Sequence, residues 1–150
     1  MAFIIVGLDN SEASHLAFHE AIRQAEWRNA DLLAIHTVAL PVTTGYEYVN
    51  VLDDLLRMGR ESTEKQLEEL AATYPDGFPV TVRHRVETGH AGVRILEAAK
   101  GEGDNEPAQL VVLGSRGLGG FKGLLLGSVT TYASHHLTCP LLIVPAPVGD

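Results

Sequence analysis

The chain has 150 residues, of which 45% are hydrophobic and 20% charged, and these proportions predict one globular domain spanning residues 1–150. Its 19 acidic and 11 basic residues give a formal net charge of −8, which argues against nucleic-acid binding and against docking on an anionic membrane. The single cysteine, Cys139, excludes an intrachain disulfide; together with the absence of a signal peptide or membrane-spanning segment, it predicts a cytoplasmic protein.

Apolar runs that predict buried strands alternate with amphipathic stretches that predict helices. In chain order, the predicted strands are residues 3–8, 32–38, 80–86, 110–114 and 141–144. The predicted helices are residues 14–28, 51–74, 91–100 and 128–137. Residues 41–48 are predicted as a loop, and Gly59 predicts a bend or a break in the second helix.

This βαβαβαβαβ order predicts a doubly wound α/β fold, a parallel sheet of five strands with helices on both faces. Such sheets bind ligands at the carboxyl ends of their strands, where the strand order reverses. The first strand ends at Asp9 and the fourth at Gly114. If these two strands are neighbours, Asp9 faces the loop that follows Gly114. The segment Asp9–Ser11 is also consistent with a simple helix cap, a role that we favour for Ser11.

The loop after the fourth strand has the composition of a phosphate site. Gly114, Gly117 and Gly127 mark it, and Ser128 opens the next helix. Glycines let the backbone approach an anion, and free N–H groups at a helix start point toward it. No Asp or Glu lies between residues 107 and 148, so an anion meets no carboxylate from its own loop. Each glycine taken singly also fits a plain turn, and the full spacing is what favours a site.

Two basic residues, Arg116 and Lys122, lie in this loop, where each either reaches the anion or is a solvated charge. The Walker A pattern is absent because Phe121 precedes Lys122, and the dinucleotide pattern G-x-G-x-x-G fails at the same place. The spacing that does occur is a glycine, two residues, a glycine, nine residues and Gly-Ser. With it the chain resembles the universal stress protein family, whose ATP-binding signature is Gly-x2-Gly-x9-Gly-Ser/Thr.

Other segments are similar to the same family. They are VGLDNSEAS at the start, HTV at residues 36–38, TGHAGVRILEAA in the third helix and TCPLLIVP at the last strand. The resemblance implies a Rossmann-like fold of the adenine nucleotide alpha hydrolase type with strand order 3-2-1-4-5. It also implies that the chain belongs to the ATP-binding members, with ATP and Mg²⁺ as ligands, and that it forms a homodimer through its last strand, Leu141–Val144.

The resemblance assigns the phosphate side of the site to the glycine loop and the last helix. Gly114 and Gly117 let the loop pass close to ribose and phosphate, and Ser115 and Arg116 reach one or the other. The residues that hold the distal phosphates are Gly127, Ser128 and Val129, through their N–H groups and the Ser128 hydroxyl. Substituting Gly114 by Asp or Gly127 by Val is then expected to abolish ATP binding and to leave the fold largely intact.

The resemblance places the rest of the nucleotide against the first, second and fourth strands. Asp9 lies by the ribose or by a water bound to Mg²⁺. Gly7 and Thr37 line the adenine side, and Leu113 packs against the base. Thr37 replaces a valine that is common in relatives, and its role is expected to be through its backbone. Asn10 replaces a frequent glycine and tolerates a positive φ.

The histidines and aromatics have simpler interpretations. His15 and His19 have the spacing of a helical metal pair, but no third ligand is evident, so we expect packing or hydrogen-bonding roles. His36 is expected to be a satisfied buried histidine, and His135 and His136 to interact with the end of their helix. Trp27 and Tyr74 are expected to pack.

Three functions are compatible with the sequence. The first is an ATP-binding regulatory protein of the universal stress type, with an unknown protein partner. The second is an enzyme that slowly hydrolyses ATP or transfers a part of it, although the chain has little length for a second substrate's domain. The third is a nucleotide-free dimeric interaction module with a vestigial loop. We favour the first, because every glycine of the signature is intact.

Overall fold

The computed structural model describes residues 1–40, 46–103, 105–116 and 126–147. The described strands are β1 (Phe3–Gly7), β2 (Asp31–Val38), β3 (Val82–Thr88), β4 (Leu110–Gly114) and β5 (Leu141–Val144). The described helices are α1 (Glu12–Arg28), α2 (Tyr46–Ala71), α3 (Ala91–Ala99) and α4 (Ser128–His136). The strands form one parallel sheet in the order β3-β2-β1-β4-β5, which confirms the predicted fold class and strand order.

The centre of the sheet is β1, which pairs with β2 on one side and β4 on the other. In the register, Ile5 lies between Leu33 and Val111. Ile4, Ile5 and Val6 have no exposed surface, because both faces of this strand are covered by helices. The pairing of β1 with β4 brings their carboxyl ends together, as the strand order implied by the resemblance requires.

Two hydrophobic cores lie on opposite faces of the sheet. On one face, α1 and α2 contribute Phe18 and Leu70 to a cluster that includes Ile4 and Val112. On the other face, α3 and α4 contribute residues such as Ile95 and Ala133 to a second cluster. Successive residues of each strand point to alternate faces, so both cores draw on the same strands.

Helix α2 differs from its prediction at its start and at Gly59. The helix begins at Tyr46, so residues 46–48 are helical and not a loop, and it continues through Gly59 without a break. A Cβ at Gly59 would lie 2.9 Å from a methyl group of Val38 and from one of Val86. The glycine therefore allows close packing of α2 on β2 and β3, and the predicted helix break is wrong.

Of the two aromatic residues expected to pack, one does. Tyr74 packs against the first core, with its ring centroid 5.1 Å from that of Phe78. Trp27 is 68% exposed at the end of α1, and the Arg23 guanidinium lies 5.2 Å from its ring centroid. The packing prediction for Trp27 is therefore wrong, because the helix faces solvent at this position.

Candidate functional site

A cavity of about 290 Å³ opens at the carboxyl edge of the sheet, above β1, β2 and β4. Helices α1, α3 and α4 all begin at this cavity. Its described lining comprises Gly7, Leu8, Asp9, Ser11, Ser14, Ile35, Thr37, Ala91, Ile95, Leu113, Gly114, Arg116, Gly127, Ser128, Val129 and Thr130. The structure therefore brings together nine of the eleven residues that the family resemblance assigned to a nucleotide. Of the other two, Ser115 is not among the described lining residues, and Gly117 lies outside the described residues, as does Lys122.

The first wall of the cavity is the loop between β1 and α1. A side-chain oxygen of Asp9 accepts hydrogen bonds from the Ser11 amide at 3.0 Å and the Ser11 hydroxyl at 2.5 Å. The Ser11 oxygen in turn accepts from the Ser14 amide at 3.1 Å, so Ser11 caps α1 as expected. Asn10 adopts φ +65°, the conformation that this residue type tolerates. Asp9 is thus held at the cavity wall by the start of α1.

The second wall joins the end of β4 to the start of α4. The Gly127 amide donates to the Ser115 carbonyl at 2.6 Å, and the Thr130 hydroxyl donates to the Gly114 carbonyl at 2.8 Å. These two bonds fix the first turn of α4 against the end of β4. Arg116, which is half-buried, also lines the cavity on this side.

The first turn of α4 presents amides to the cavity. A helix leaves its first N–H groups without intrahelical acceptors, and in the described part of the chain no side chain caps α4. Ser128 is exposed and Val129 half-buried, and both line the cavity. The helix dipole adds partial positive charge at the same place. This arrangement suits an anion, with Arg116 as the cation nearby.

Two predicted site residues, Ser115 and Gly127, use polar groups in hydrogen bonds within the protein, so these groups are not open to a ligand. Ser115 is 9% exposed, its amide donates to the Val144 carbonyl at 2.8 Å, and its hydroxyl accepts from the Ala146 amide at 3.0 Å. Ser115 thus joins β4 to the end of β5 and is not among the described lining residues. The Gly127 amide is committed to Ser115, which leaves the Ser128 and Val129 amides for an anion.

Gly114 has a packing role at the cavity floor. A Cβ at Gly114 would lie 3.0 Å from the carbonyl carbon, the carbonyl oxygen and the Cβ of Ala13. Backbone atoms of a buried helix cannot easily move aside, so Gly114 is needed for the contact between α1 and β4. An aspartate at this position is therefore expected to weaken the contact between α1 and β4, a cost in stability that the sequence alone did not predict.

The opposite end of the cavity is mainly apolar. Gly7, Thr37 and Leu113, which the sequence assigned to the adenine side, lie there at the ends of β1, β2 and β4. Ile35 and Ile95 complete this wall. A flat apolar ligand part fits such a wall, with polar backbone groups at the strand ends to orient it.

The sequence reasoning missed several lining residues. Ser14, Ala91 and Thr130 lie in the first turns of α1, α3 and α4, and Ile35 and Ile95 are core residues that reach the cavity from below. The convergence of three helix starts on one edge follows from a parallel sheet, so the first-turn residues were open to prediction from the fold alone.

The histidines have hydrogen-bonding roles. His15 Nε2 lies 3.3 Å from Gln66 Oε1, and His19 Nδ1 lies 2.8 Å from the Tyr74 hydroxyl. Burial lowers the pKa of His19, and the neighbouring His15 lowers it further. His36 Nδ1 is 2.8 Å from the Leu8 carbonyl, which fits the expected satisfied histidine, although the side chain is only half-buried. His136 Nδ1 lies 2.8 Å from the Tyr132 carbonyl near the end of α4, as expected.

Two kinds of site find no residues in the described part of the chain. No group of three or more His, Cys, Asp or Glu side chains there is placed to hold a metal ion on its own. No helix in the same residues has the length and hydropathy needed to cross a bilayer.

Known proteins resemble this chain in sequence and in fold. A universal stress protein of Mycolicibacterium smegmatis is 36% identical over 141 residues, which make up 94% of this chain and 45% of that protein. The chain therefore spans about half the length of the curated relatives that it matches. Among solved structures, the universal stress protein UspA of Lactobacillus plantarum superposes with a TM-score of 0.80 at 23% identity, covering 95% of this chain and 97% of that one.

Some solved neighbours carry nucleotides. The universal stress protein of Archaeoglobus fulgidus in complex with dAMP has a TM-score of 0.57 at 15% identity, over 96% of this chain and 98% of that one. A universal stress protein family protein of Arabidopsis thaliana with AMP bound has a TM-score of 0.55 at 17% identity, over 99% and 94% of the two chains. The sequence profile of the universal stress protein family matches residues 3–145. This chain belongs to the universal stress protein family.

Proposed function

We propose that this protein binds ATP together with Mg²⁺ in the cavity at the carboxyl edge of the sheet, and that the bound nucleotide serves regulation in a stress response. The observation that carries the proposal is the uncapped first turn of α4, fixed against the end of β4 beside Arg116.

On the phosphate side, the Ser128 and Val129 amides and the Ser128 hydroxyl hold the distal phosphates. The Arg116 guanidinium contributes the positive charge that three phosphates require. Asp9, the one carboxylate among the described lining residues, holds a water of the Mg²⁺ shell, since Mg²⁺ usually keeps several waters.

On the base side, adenine lies between Leu113 and the strand ends at Gly7 and Thr37. The relatives with dAMP and AMP support adenine nucleotides as the class of ligand. The intact glycine spacing of the loop supports a triphosphate within that class, and with it the ATP-binding subgroup of the family.

We further propose a regulatory role in place of rapid catalysis. The Asp9 carboxylate is engaged by the Ser11 amide and hydroxyl, which makes it a poor general base. The protein acts as a homodimer through β5 in the cytoplasm, where the single thiol of Cys139 stays reduced. A nucleotide changes such a dimer only if it binds two of its states with different affinity.

The deciding experiment identifies the nucleotide released by heat from the purified protein, by mass spectrometry, and then titrates ATP, AMP and NAD at equilibrium with and without Mg²⁺. We expect ATP to be released and to bind more tightly than NAD. No copurified nucleotide and an unchanged melting temperature in millimolar ATP would favour the nucleotide-free module instead. Steady-state turnover above about one per second, the low end for typical enzymes, would favour the enzyme.

A further inference from the structure

Helix α2 carries a buried amide side chain that the nucleotide site as described does not include. Gln66 is 2% exposed, and its Oε1 accepts a hydrogen bond of 2.9 Å from the backbone amide of Asn10. Its Nε2 lies 3.3 Å from the hydroxyl oxygen of Ser62, one turn earlier in the same helix. Burying a glutamine is costly unless its polar atoms find partners, so this side chain has a specific task.

That task concerns the loop that forms the first wall of the cavity. Asn10 stands between Asp9 and Ser11, both of which line the cavity, and its backbone has φ +65°. This conformation is less favourable for a non-glycine residue than one with negative φ, so contacts with the surrounding structure must offset its cost. The hydrogen bond from the Asn10 amide to Gln66 is such a contact, and it comes from a helix that is distant in sequence.

A second contact strengthens the connection. His15 Nε2 lies 3.3 Å from the same Oε1 of Gln66. His15 belongs to the first turns of α1, the helix whose capping residue Ser11 is bonded to Asp9. One oxygen atom of α2 therefore contacts both the loop and the helix that position Asp9.

We propose that Gln66 is a positioning residue for the nucleotide site: it fixes the Asn10 amide and thereby holds the Asp9 carboxylate at the cavity wall. The part of this proposal that concerns affinity rests on the proposed function. The part that concerns the loop can be tested in the protein without any ligand.

The principal variant is Gln66→Met, which keeps the length of the side chain and removes the acceptor. In ligand-free protein, we expect the Asn10 amide to exchange its hydrogen about tenfold faster than in the wild type, because it loses its buried partner. The Kd for ATP with Mg²⁺ is expected to rise by up to about tenfold, because binding must then supply the free energy of ordering the loop that this hydrogen bond supplies in the wild type.

Thr63→Val is the matched control. Thr63 is fully buried on the same helix, and its hydroxyl donates within the helix to the Gly59 carbonyl at 2.8 Å. We expect this variant to lose stability without changing the Asn10 exchange rate or the Kd. Gln66→Glu keeps an acceptor for the Asn10 amide, and we expect its Kd to stay within about threefold of the wild-type value.

Unchanged exchange of the Asn10 amide in Gln66→Met would overturn the proposal, as would an equal loss of affinity in Thr63→Val. A wild-type protein without affinity for ATP would overturn the proposed function, and the exchange rates in ligand-free protein would still decide whether Gln66 holds the loop.

Discussion

The Ser115 carbonyl oxygen and the Gly127 amide nitrogen lie 2.6 Å apart, so one hydrogen bond joins the two ends of the segment between β4 and α4. The Gly127 amide, which the family resemblance assigns to phosphate, therefore already has an acceptor within the protein. An anion at this helix start has the Ser128 and Val129 amides for its contacts. Gly127 matters to such a ligand through the space it leaves, since it is buried and lines the cavity.

Gly127→Val is expected to abolish ATP binding, because three extra carbon atoms at a buried lining position must occupy the cavity or displace its wall. Ser128→Ala removes only a hydroxyl from an exposed helix start, and a loss of about 0.5–1.5 kcal/mol in binding free energy is expected. Equilibrium titration of both variants with ATP measures the difference. Wild-type affinity in Gly127→Val would remove the start of α4 from the site.

Gly114→Asp is expected to lower the free energy of unfolding by about 1–3 kcal/mol or more, because its Cβ overlaps the backbone of Ala13. Thermal unfolding without ligand measures this effect separately from any loss of ATP binding. The double variant Ala13→Gly, Gly114→Ala removes one of the three close contacts, so its loss of stability should be smaller than the sum of the losses of the two single variants. A Gly114→Asp protein with the wild-type melting temperature would contradict the packing role.

Asp9→Asn keeps an acceptor for the Ser11 amide and removes the negative charge. We expect the enhancement of ATP affinity by Mg²⁺ to fall about tenfold, because a neutral amide holds the hydrated cation less well. Asp31→Asn is the control. This buried carboxylate lies at the amino end of β2, away from the cavity, and accepts a hydrogen bond of 3.3 Å from Arg83. Titration with Mg²⁺ and with a chelator compares them, and an undiminished Mg²⁺ effect in Asp9→Asn would exclude Asp9 from the metal's surroundings.

The lowered pKa of His19 makes stability depend on pH. The unfolded chain binds the proton more readily than the folded one, so the contribution of His19 is complete above its ordinary pKa of 6.5 and is lost as the pH falls through the lowered folded-state pKa. His19→Gln should therefore flatten the decline in melting temperature between about pH 7 and pH 5. His84→Gln, on the exposed side of β3, is the control for removing an imidazole at a position away from His19. An identical slope in His19→Gln and wild type would contradict this account.

Strand β5 forms one edge of the sheet, and its four apolar residues are all half-buried in the single chain. Leu142 and Val144 pack on the first core, so Ile143 is the position to test for a contact between two copies. Ile143→Glu should convert the proposed dimer to a monomer in light scattering. His84→Glu on the opposite edge strand should leave the mass unchanged, and a monomeric wild type would refute the dimer.

Local patterns predicted the sheet because its strands are short apolar runs separated by helix periodicity. They left the strand order open, and the adjacency of β1 and β4 was expected only from the family resemblance. The start of α2 was missed because tyrosine and valine have weak helix propensity, and the tertiary context overrides such propensities. Helix packing against β2 and β3 likewise explains Gly59, which local reasoning takes as a helix breaker.

The site was predictable where a residue acts through its own segment, as in the Ser11 cap. It was not predictable where the contact spans the chain. Gln66 binds an amide 56 positions away, and Ser115 accepts from an amide 31 positions away. No hydrophobic periodicity or local motif in the sequence indicates either contact, because each depends on how separate elements pack.

The walls of the cavity come from β1, the start of α1, β2, α3, β4 and α4. The cavity therefore cannot form until β4 has paired with β1. During synthesis, a site for the proposed nucleotide cannot form before residues 127–130 at the start of α4 have been made. A nucleotide that binds as proposed therefore stabilises, by mass action, only the chain in which all of these elements have come together.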